Sequence, residues 1–196
     1  MRTTLRTTGV AVRAMLVFTV LLGVGYMLLI TGIGQLALPS QANGSLVRSA
    51  DGDVVGSSLI GQSFQDADGN ALPEYFQSRP SAAGDGYDSA ASSGSNWGPE
   101  NEDLIAAIEE RRTAAVELDG EGTIPADALT ASASGLDPDI SVANAERQVA
   151  RVAEARGLPV ADVEALVAAN TRGRGLGFLG EPRVNVLELN RALDAR

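Results

Sequence analysis

An uninterrupted apolar run over residues 14–38 constrains this chain more than any other feature. Its sequence, AMLVFTVLLGVGYMLLITGIGQLAL, carries no charge, and its clearly polar side chains are Thr19, Thr31 and Gln35. Twenty-five residues of helix extend about 37 Å, which is more than the roughly 30 Å hydrocarbon core of a bilayer. The run therefore predicts a transmembrane helix.

The charges on either side of this run predict its orientation. Arg2, Arg6 and Arg13 precede it, whereas every acidic residue lies at position 51 or later. By the positive-inside rule, residues 1–13 form a cytoplasmic tail and residues 41–196 form a single domain outside the cytoplasmic membrane. A cleaved signal peptide is the alternative, because small residues follow the run, but the apolar region of a signal peptide is usually only about 7–15 residues long.

Small residues recur along the predicted span. Gly25 and Gly32 are seven positions apart, and Thr19 and Gly23 are four positions apart. Such spacing lets a second helix approach closely, so these four residues are candidates for packing against a partner's membrane helix. Glycine is also frequent in membrane helices generally, which is the alternative explanation.

Missing residue types exclude several kinds of chemistry. The 196 residues include no His, no Cys and no Lys, and all fifteen basic residues are Arg. A Ser-His-Asp triad, a thiol nucleophile, a typical zinc site, a Schiff base and a P-loop lysine are therefore excluded. We expect no catalytic residue, no bound metal and no cofactor in this chain.

The predicted outer domain is strongly acidic. Residues 41–196 carry twelve Arg against twenty-five Asp and Glu, a net charge of −13. Such a surface repels nucleic acid and anionic lipid head groups, so nucleic-acid binding is not expected.

The patterning of the outer domain predicts an α+β fold. Two runs rich in β-branched residues flank Asp51-Gly52, which indicates a hairpin. Helical spacing of apolar residues predicts a helix after Pro99, two more over 142–156 and 160–170, and a last one that Asn185 caps in the manner of a capping box. The apolar residues that define the first of these helices are Leu104, Ile105, Ile108 and Val116.

Two motif-like stretches do not predict ligand sites. Residues 66–70, DADGN, imitate a calcium loop but lack its later Gly and Glu, so an acidic turn is expected. Gly175, Gly177 and Gly180 spell the dinucleotide fingerprint, but a Glu-Pro pair follows where the first turn of a helix should be.

Residues 75–101, YFQSRPSAAGDGYDSAASSGSNWGPEN, have the Gly, Ser and Pro content of a flexible linker. They also contain the only Trp, two of the three Tyr and an isolated Arg. Pro80 and Pro99 fix φ, and Gly94 and Gly98 permit positive φ, so these loops can be rigid. The stretch is either a tether or a docking surface.

Several segments together resemble one family. In order they are GSSLIGQSF at 56–64, YFQSRPSA at 75–82, SSGSNWGPEN at 92–101, TASASGLDPDIS at 130–141, RVAEARGL at 151–158 and LGEPRVNVLELNRALD at 179–194. With one membrane span before them, their order resembles the C chain of the potassium-transporting P-type ATPase, the KdpC family. The match covers nearly everything from the span to Asp194, and on this resemblance the 75–101 stretch is a family hallmark.

The resemblance implies a non-catalytic accessory subunit of a high-affinity, ATP-driven potassium importer of the cytoplasmic membrane. It implies assembly with a channel-like potassium-binding subunit, an ATP-hydrolysing P-type subunit and a small membrane peptide, so that the complex handles ATP and potassium. It also implies a catalytic chaperone that raises the affinity of the ATP-hydrolysing subunit for ATP. The charge rule, however, places the folded domain on the side of the membrane opposite to cytoplasmic ATP.

Seven residues of the 75–101 stretch are candidates for contact with partner subunits, because Trp, Tyr and Arg dominate the energetics of protein interfaces. The alternative is that the aromatic residues fill the core and that Arg79 pairs with a local carboxylate. This alternative suits Tyr75 and Phe76 better than Trp97. The seven candidates are Arg79, Pro80, Ser81, Ser95, Asn96, Trp97 and Gly98.

Two other functions are compatible with the sequence. A membrane-anchored binding or sensor domain would work without a pump, and an anchored hydrolase could use paired carboxylates such as Asp85 and Asp88. Nothing in the sequence gives two carboxylates a fixed geometry, so the accessory subunit is the preferred hypothesis.

A single introduced cysteine tests the predicted orientation, since the chain has none of its own. Ser45→Cys should react with a membrane-impermeant thiol reagent in intact cells, because position 45 follows the span on its outer side. Thr4→Cys, on the predicted cytoplasmic side, is the matched control and should react only after lysis. The opposite pattern would reverse the topology.

Overall fold

A computed structural model describes residues 2–49 and 51–196, and of Arg2 it describes the backbone only. The chain divides into two compact units. The first ends at Leu46, and the second, called the body here, covers residues 47–196.

The N-terminal unit is almost entirely helical. The α-helix α1 covers Arg2–Phe18, a π-helix covers Thr19–Tyr26, and the α-helix α2 covers Met27–Ala37. A short helix, α3, follows at Pro39–Ala42. Within this unit, Thr3–Ala37 is long and apolar enough to cross a membrane, and it contains an 18-residue stretch with a mean hydropathy of 2.3. The apolar helix predicted from the sequence is confirmed, and helical backbone also continues through the segment that precedes the apolar run.

The body mixes helices with very short strands. Its helices are α4 (Glu102–Asp119), α5 (Ala126–Leu129), α6 (Val142–Arg156), α7 (Val160–Asn170) and α8 (Val186–Asp194). A two-stranded sheet pairs β1 (Leu46–Arg48) with β2 (Val54–Ser57). The remaining strands are β3 (Asp139–Ser141), β4 (Thr171–Arg172) and β5 (Arg183–Asn185). The predicted mixture of α and β structure is confirmed.

The hairpin predicted at Asp51-Gly52 forms between β1 and β2. The Ser49 amide donates to the Asp53 carbonyl at 2.8 Å, and the Gly52 amide donates to the Ser49 carbonyl at 3.1 Å. These bonds close the turn on itself, so this prediction is confirmed.

The predicted acidic turn at residues 66–70 is also confirmed. One carboxylate oxygen of Asp66 accepts hydrogen bonds from the amides of Asp68 and Asn70, at 2.9 and 2.8 Å. Hydrogen bonds from the Asn70 side chain and backbone hold the pKa of Asp66 below its usual value. The carboxylate therefore serves the turn.

Side-chain caps place the helices that the sequence predicted. The Ser141 hydroxyl accepts from the Asn144 amide at 3.1 Å and begins α6, which ends at Gly157. The Asn185 side chain accepts from the Glu188 amide at 3.1 Å and begins α8. Only this half of the capping box forms among the described bonds, because the Glu188 carboxylate pairs with Arg172 instead.

The three short strands form an antiparallel sheet in the order β3-β5-β4, with Ile140 opposite Val184. Strands of two or three residues cannot show an alternating pattern, which is why the sequence did not predict them. Ile140 and Val184 join residues of α6, α7 and α8 in one hydrophobic core. Phe76, from the 75–101 stretch, is fully buried in this core.

Two buried amide side chains hold the irregular segment around Phe76 as a neighbouring strand would. The Phe76 amide donates to Asn190 of α8 at 2.9 Å, and the Asn190 side chain donates back to the Phe76 carbonyl at 2.9 Å. The next residue, Gln77, has the same reciprocal pair with Gln148 of α6, at 2.6 and 3.2 Å. We call these four bonds the amide clamp.

Arg151 connects three parts of the body. Its Nε lies 2.7 Å from an Asp119 carboxylate oxygen at the end of α4, and both side chains are 8% exposed. Its Nη1 donates to the carbonyls of Pro73 and Tyr75, at 2.6 and 2.9 Å. Its Nη2 donates to Gln148 at 2.8 Å, so the ion pair also supports the amide clamp.

Helix α4 has little share in the core. Of its eighteen residues, all of them described, none is buried. The predicted apolar face is wrong at Ile105, which is exposed, because α4 packs mainly along α5 and α6. Its C-terminal carbonyls are held by Arg147 of α6, which donates to Ala115 at 3.1 Å and to Gly120 at 2.5 Å.

Removing one arm of the amide clamp should destabilise the body. Asn190→Leu leaves the buried amide and carbonyl of Phe76 without their partner, which should lower the free energy of unfolding by about 2–4 kcal/mol. The matched control is Asn170→Leu at the end of α7, where only one bond to a helix carbonyl is lost and less than about 1 kcal/mol is expected. Urea denaturation of the full chain in mild detergent measures both, and equal losses would contradict the clamp's role.

Candidate functional site

Two segments that are distant in the sequence pack against each other in the body. Residues 79–98 and 130–138 form what we call the paired-loop surface. The Ser132 amide donates to the Pro80 carbonyl at 3.3 Å, and the Ser81 hydroxyl donates to the Gly135 carbonyl at 2.6 Å. Further along, the Ser93 amide donates to the Ser134 carbonyl at 3.0 Å. The predicted candidates Pro80 and Ser81 thus lie in the seam between the two loops.

An ion pair joins the same two loops. Arg79 Nη1 lies 2.8 Å from Asp137 Oδ2, and Arg79 Nη2 donates to the Thr130 carbonyl at 3.4 Å. The side chain of Arg79 is 23% exposed, and its buried Nε has no hydrogen-bond partner among the described residues. The alternative that Arg79 pairs with a local carboxylate is therefore confirmed, and that carboxylate belongs to Asp137. Contact of Arg79 with a partner subunit stays a prediction.

Close backbone approach explains two glycines of this surface. A Cβ on Gly135, which has φ +67°, would come within 2.7 Å of Ala83 and of the Ser93 carbonyl oxygen. A Cβ on Gly94 would come within 2.7 Å of the Ala133 carbonyl oxygen. Any larger residue at either position would push the two loops apart.

Gly94 and Gly98 permit positive φ, but neither adopts it in the structure. The left-handed residue of this loop is Asn96, at φ +54°, and its side chain donates to the Gly94 carbonyl at 3.0 Å. Asparagine tolerates this conformation because its amide can bond the nearby backbone. Gly98 lies exposed just before α4, where its carbonyl accepts from the Asn101 amide at 3.1 Å.

Ser81 organises the turn that precedes this loop. Its hydroxyl oxygen accepts from the amides of Ala83 and Tyr87, at 3.1 and 2.9 Å. The Tyr87 hydroxyl in turn donates to the Arg79 carbonyl. Burial raises the pKa of Tyr87 to about 12, and the nearby Asp137 charge acts in the same direction. The tyrosine therefore stays protonated and keeps this donor at neutral pH.

The aromatic residues of the 75–101 stretch separate into buried and exposed groups. Phe76 belongs to the core, and Tyr75 packs against Phe64, with ring centroids 5.5 Å apart, under the guanidinium of Arg156. Trp97 is 39% exposed on the loop before α4. Ser95, beside it, is half-buried. The core alternative therefore holds for Phe76, whereas a large aromatic surface remains uncovered at Trp97.

The sequence did not indicate an apolar cleft that borders the paired-loop surface. A cleft of about 570 Å³ lies between residues 59–60 and residues 132–138, with Arg79 and Asp137 also in its lining. The exposed side chains of Leu59 and Ile60 border it. A usable signal did exist for Asp137, because it is the one acid inside the SGLDP segment and could have been matched to the lone Arg of the YFQSRPSA segment.

The candidates in the membrane helix lie in the N-terminal unit. Thr19, Gly23 and Gly25 belong to the π-helix, and Gly32 belongs to α2. A Cβ at Gly32 would meet nothing within 4 Å among the described residues. A small, open position of this kind suits the close approach of another helix, which stays a prediction.

The carboxylates that a hydrolase would require are used otherwise or lie free in solvent. Asp85 and Asp88 are both exposed, and Asp88 accepts from the Ala90 amide at 2.8 Å to form a turn. No cluster of three or more acidic side chains placed to hold a metal ion occurs in the described part of the chain. The arrangement favours recognition of a partner through shape, an ion pair and exposed apolar side chains.

The raised pKa of Tyr87 predicts an alkaline loss of stability. The pKa of Tyr87 in the folded chain is about 12, above the ordinary value of 10.0. The contribution of Tyr87 to the free energy of unfolding is therefore fully present below pH 10, and it is lost as the pH rises towards 12. Tyr87→Phe should lower stability at neutral pH, through the lost bond to Arg79, and should flatten the fall between pH 10 and 12. Denaturant titrations across this range measure both slopes, and identical slopes would contradict the assignment.

Known proteins resemble this chain along nearly its whole length. The family described as KdpC, K+-transporting ATPase, c chain, matches residues 8–195. Potassium-transporting ATPase KdpC subunits are 60% identical in Caulobacter vibrioides strain NA1000 (95% of this chain, 91% of the relative), 55% in Beijerinckia indica (93% and 90%) and 54% in Mycobacterium bovis strain BCG (94% and 95%). Since both the family and these relatives span the N-terminal helix and the paired-loop surface, the chain belongs to the KdpC family of K+-transporting ATPase subunits.

Proposed function

We propose that this chain is a non-catalytic accessory subunit that docks onto the potassium-transporting P-type ATPase through the paired-loop surface. One observation carries the proposal: the surface is preorganised by backbone contacts between its two loops, and it presents exposed Trp97. Exposed Leu59 and Ile60 border a separate feature, a cleft whose lining includes the Arg79–Asp137 pair. A surface that is already ordered loses little conformational entropy on binding. Trp and Arg are among the residue types in which the binding energy of an interface is most often concentrated.

The partners in this proposal are a channel-like potassium-binding subunit, an ATP-hydrolysing P-type subunit and a small membrane peptide. Membership of the family supports assembly with other pump subunits, since KdpC is a chain of the K+-transporting ATPase. The body would lie outside the cytoplasmic membrane, held by the apolar helix. Thr19, Gly23, Gly25 and Gly32 would let that helix pack against the membrane helices of its partners.

The proposal includes the catalytic chaperone role, in which this chain raises the affinity of the ATP-hydrolysing subunit for ATP. Because the chain has no Lys and no P-loop motif, it would act through assembly and would not hold the nucleotide itself. ATP and potassium would be bound by the other subunits. A body outside the membrane acts on a cytoplasmic site only by favouring one conformation of the complex, which is a coupling between two distant sites.

Trp97→Ala should weaken assembly without unfolding the body. Loss of an interface anchor typically costs about 2 kcal/mol or more, which corresponds to a roughly thirtyfold weaker complex. The measurement is the amount of ATP-hydrolysing subunit that copurifies with the full chain in mild detergent. Ile105→Ala, which removes a comparably exposed apolar side chain from α4, is the matched control and should have no effect.

Two further readouts separate the possible outcomes of this experiment. Thermal unfolding of the Trp97→Ala chain should match that of the unaltered chain, and a much lower melting temperature would instead make Trp97 a structural residue. In the complexes that do form, the KM for ATP should rise if the chaperone role is correct. Normal assembly with Trp97→Ala would refute the docking surface, and a chain that never copurifies with the pump would favour a free-standing binding or sensor domain.

A further inference from the structure

The loop between β4 and β5 presents an apolar tip, formed by Leu176, Phe178 and Leu179. These side chains are 84%, 70% and 54% exposed. Leu176 is the most exposed large hydrophobic residue in the described part of the body, and Phe178 is its most exposed aromatic residue. These three neighbouring side chains form an exposed apolar patch, and patches of this kind on a protein surface usually mark interaction sites.

Backbone hydrogen bonds close this loop into a defined shape. Gly175 and Leu179 exchange two bonds, amide to carbonyl in both directions, each 2.8 Å long. The Phe178 amide also donates to the Gly175 carbonyl at 3.2 Å. Leu176 has φ +53°, a left-handed conformation that is unfavourable for a branched side chain. The loop therefore holds a strained leucine in solvent, which indicates that the tip is built for contact.

The charges at the base of the tip are neutralised within the body. Arg172 pairs with Glu188, Arg174 pairs with Glu181, and Arg183 pairs with Asp139. Insertion into an anionic bilayer usually relies on unpaired basic residues beside the apolar side chains, whereas each of these three Arg residues is paired with a carboxylate. Residues 41–196 also carry a net charge of −13, which an anionic lipid surface repels.

The tip and the paired-loop surface lie at opposite ends of the three-stranded sheet. In β3 and β5, Asp139 is opposite Asn185 and Ser141 is opposite Arg183. The tip leads into β5 at Arg183, whereas residues 130–138 lead into β3 at Asp139. The tip and the paired-loop surface are therefore attached to the sheet at different ends.

We infer that the apolar tip inserts into an apolar recess on another subunit of the same K+-transporting ATPase, bordered by neutral or basic residues that complement the acidic body. This inference rests on the proposed function, because it takes the partner from the same complex. A neutral, apolar tip on an acidic body fits a protein recess of that kind better than it fits an anionic membrane. The tip thus gives the body a second attachment point.

Photo-crosslinking in cells that produce the complete complex tests the identity of the occupant. Leu176 is replaced by benzoylphenylalanine in the full chain, and the same replacement at Val160, an exposed position at the start of α7, is the matched control. On ultraviolet irradiation, position 176 should crosslink to another subunit of the ATPase, and mass spectrometry identifies the crosslinked product. The yield of this product should be at least about tenfold higher than the yield from position 160. Adducts with lipid alone, or equal yields at both positions, would overturn the inference.

A charged substitution gives an independent measurement on the same complex. Phe178→Asp should reduce copurification with the pump subunits about tenfold or more, whereas Phe178→Leu, which keeps the side chain apolar, should retain most of it. Because Phe178 is exposed, both variants should unfold at the temperature of the unaltered chain. Normal assembly with Phe178→Asp but not with Trp97→Ala would overturn the role of the tip and leave the proposed function intact. Normal assembly with both variants would overturn both.

Discussion

The amide clamp is the interaction on which the rest of the body depends. Gln148 and Asn190 come from two different helices and bond the backbone of two consecutive residues, Phe76 and Gln77. A buried irregular segment must find partners for its amides and carbonyls, and here two side chains replace the neighbouring strand that is missing. Because the clamp fixes the backbone of residues 76–77, it also fixes the direction of the chain that follows. Arg79, two residues later, is thereby placed beside Asp137.

The paired-loop surface shows how a stretch with the composition of a linker becomes ordered. Its order comes from close approach at Gly94 and Gly135 and from hydroxyl groups that bond the backbone, so small and polar residues are required throughout. Of its bulky residues, Tyr87 is half-buried between the loops and Trp97 is exposed. A composition typical of flexibility therefore encodes a fixed shape when two such loops pack on each other.

The sequence predicted the parts of the fold whose signals are periodic and long. Helices α6 and α7 were predicted with their observed bounds because an apolar stripe and a terminal Gly or Pro define each one. Strands β3, β4 and β5 were missed because two or three residues carry no period. Ile105 was assigned wrongly because the pattern shows which residues could face a core, while the packing of α4 decides which residues do.

The candidate site was predictable only in part, for a related reason. Residue type indicated Arg79 and Trp97, but whether a side chain meets a neighbour or solvent depends on contacts across more than fifty positions of sequence. The structure pairs Arg79 with Asp137, and it adds Leu59 and Ile60 to the same cleft. The apolar tip lies in a stretch that the sequence singled out only for its glycines, where the informative residues were the Leu and Phe between them.

The attachment of α4 has a consequence for motion. This helix buries none of its described residues, and its C-terminal end is fastened by the Arg147 and Arg151 guanidinium groups. Free energies of local opening follow the amount of apolar contact that is lost, so α4 should open well before the core of α6, α7 and α8. Its amides would then exchange with solvent deuterium while those of α6 stay protected. Since Asn101, which caps α4, closely follows Trp97 in the chain, such opening would reach the end of the loop that presents the tryptophan.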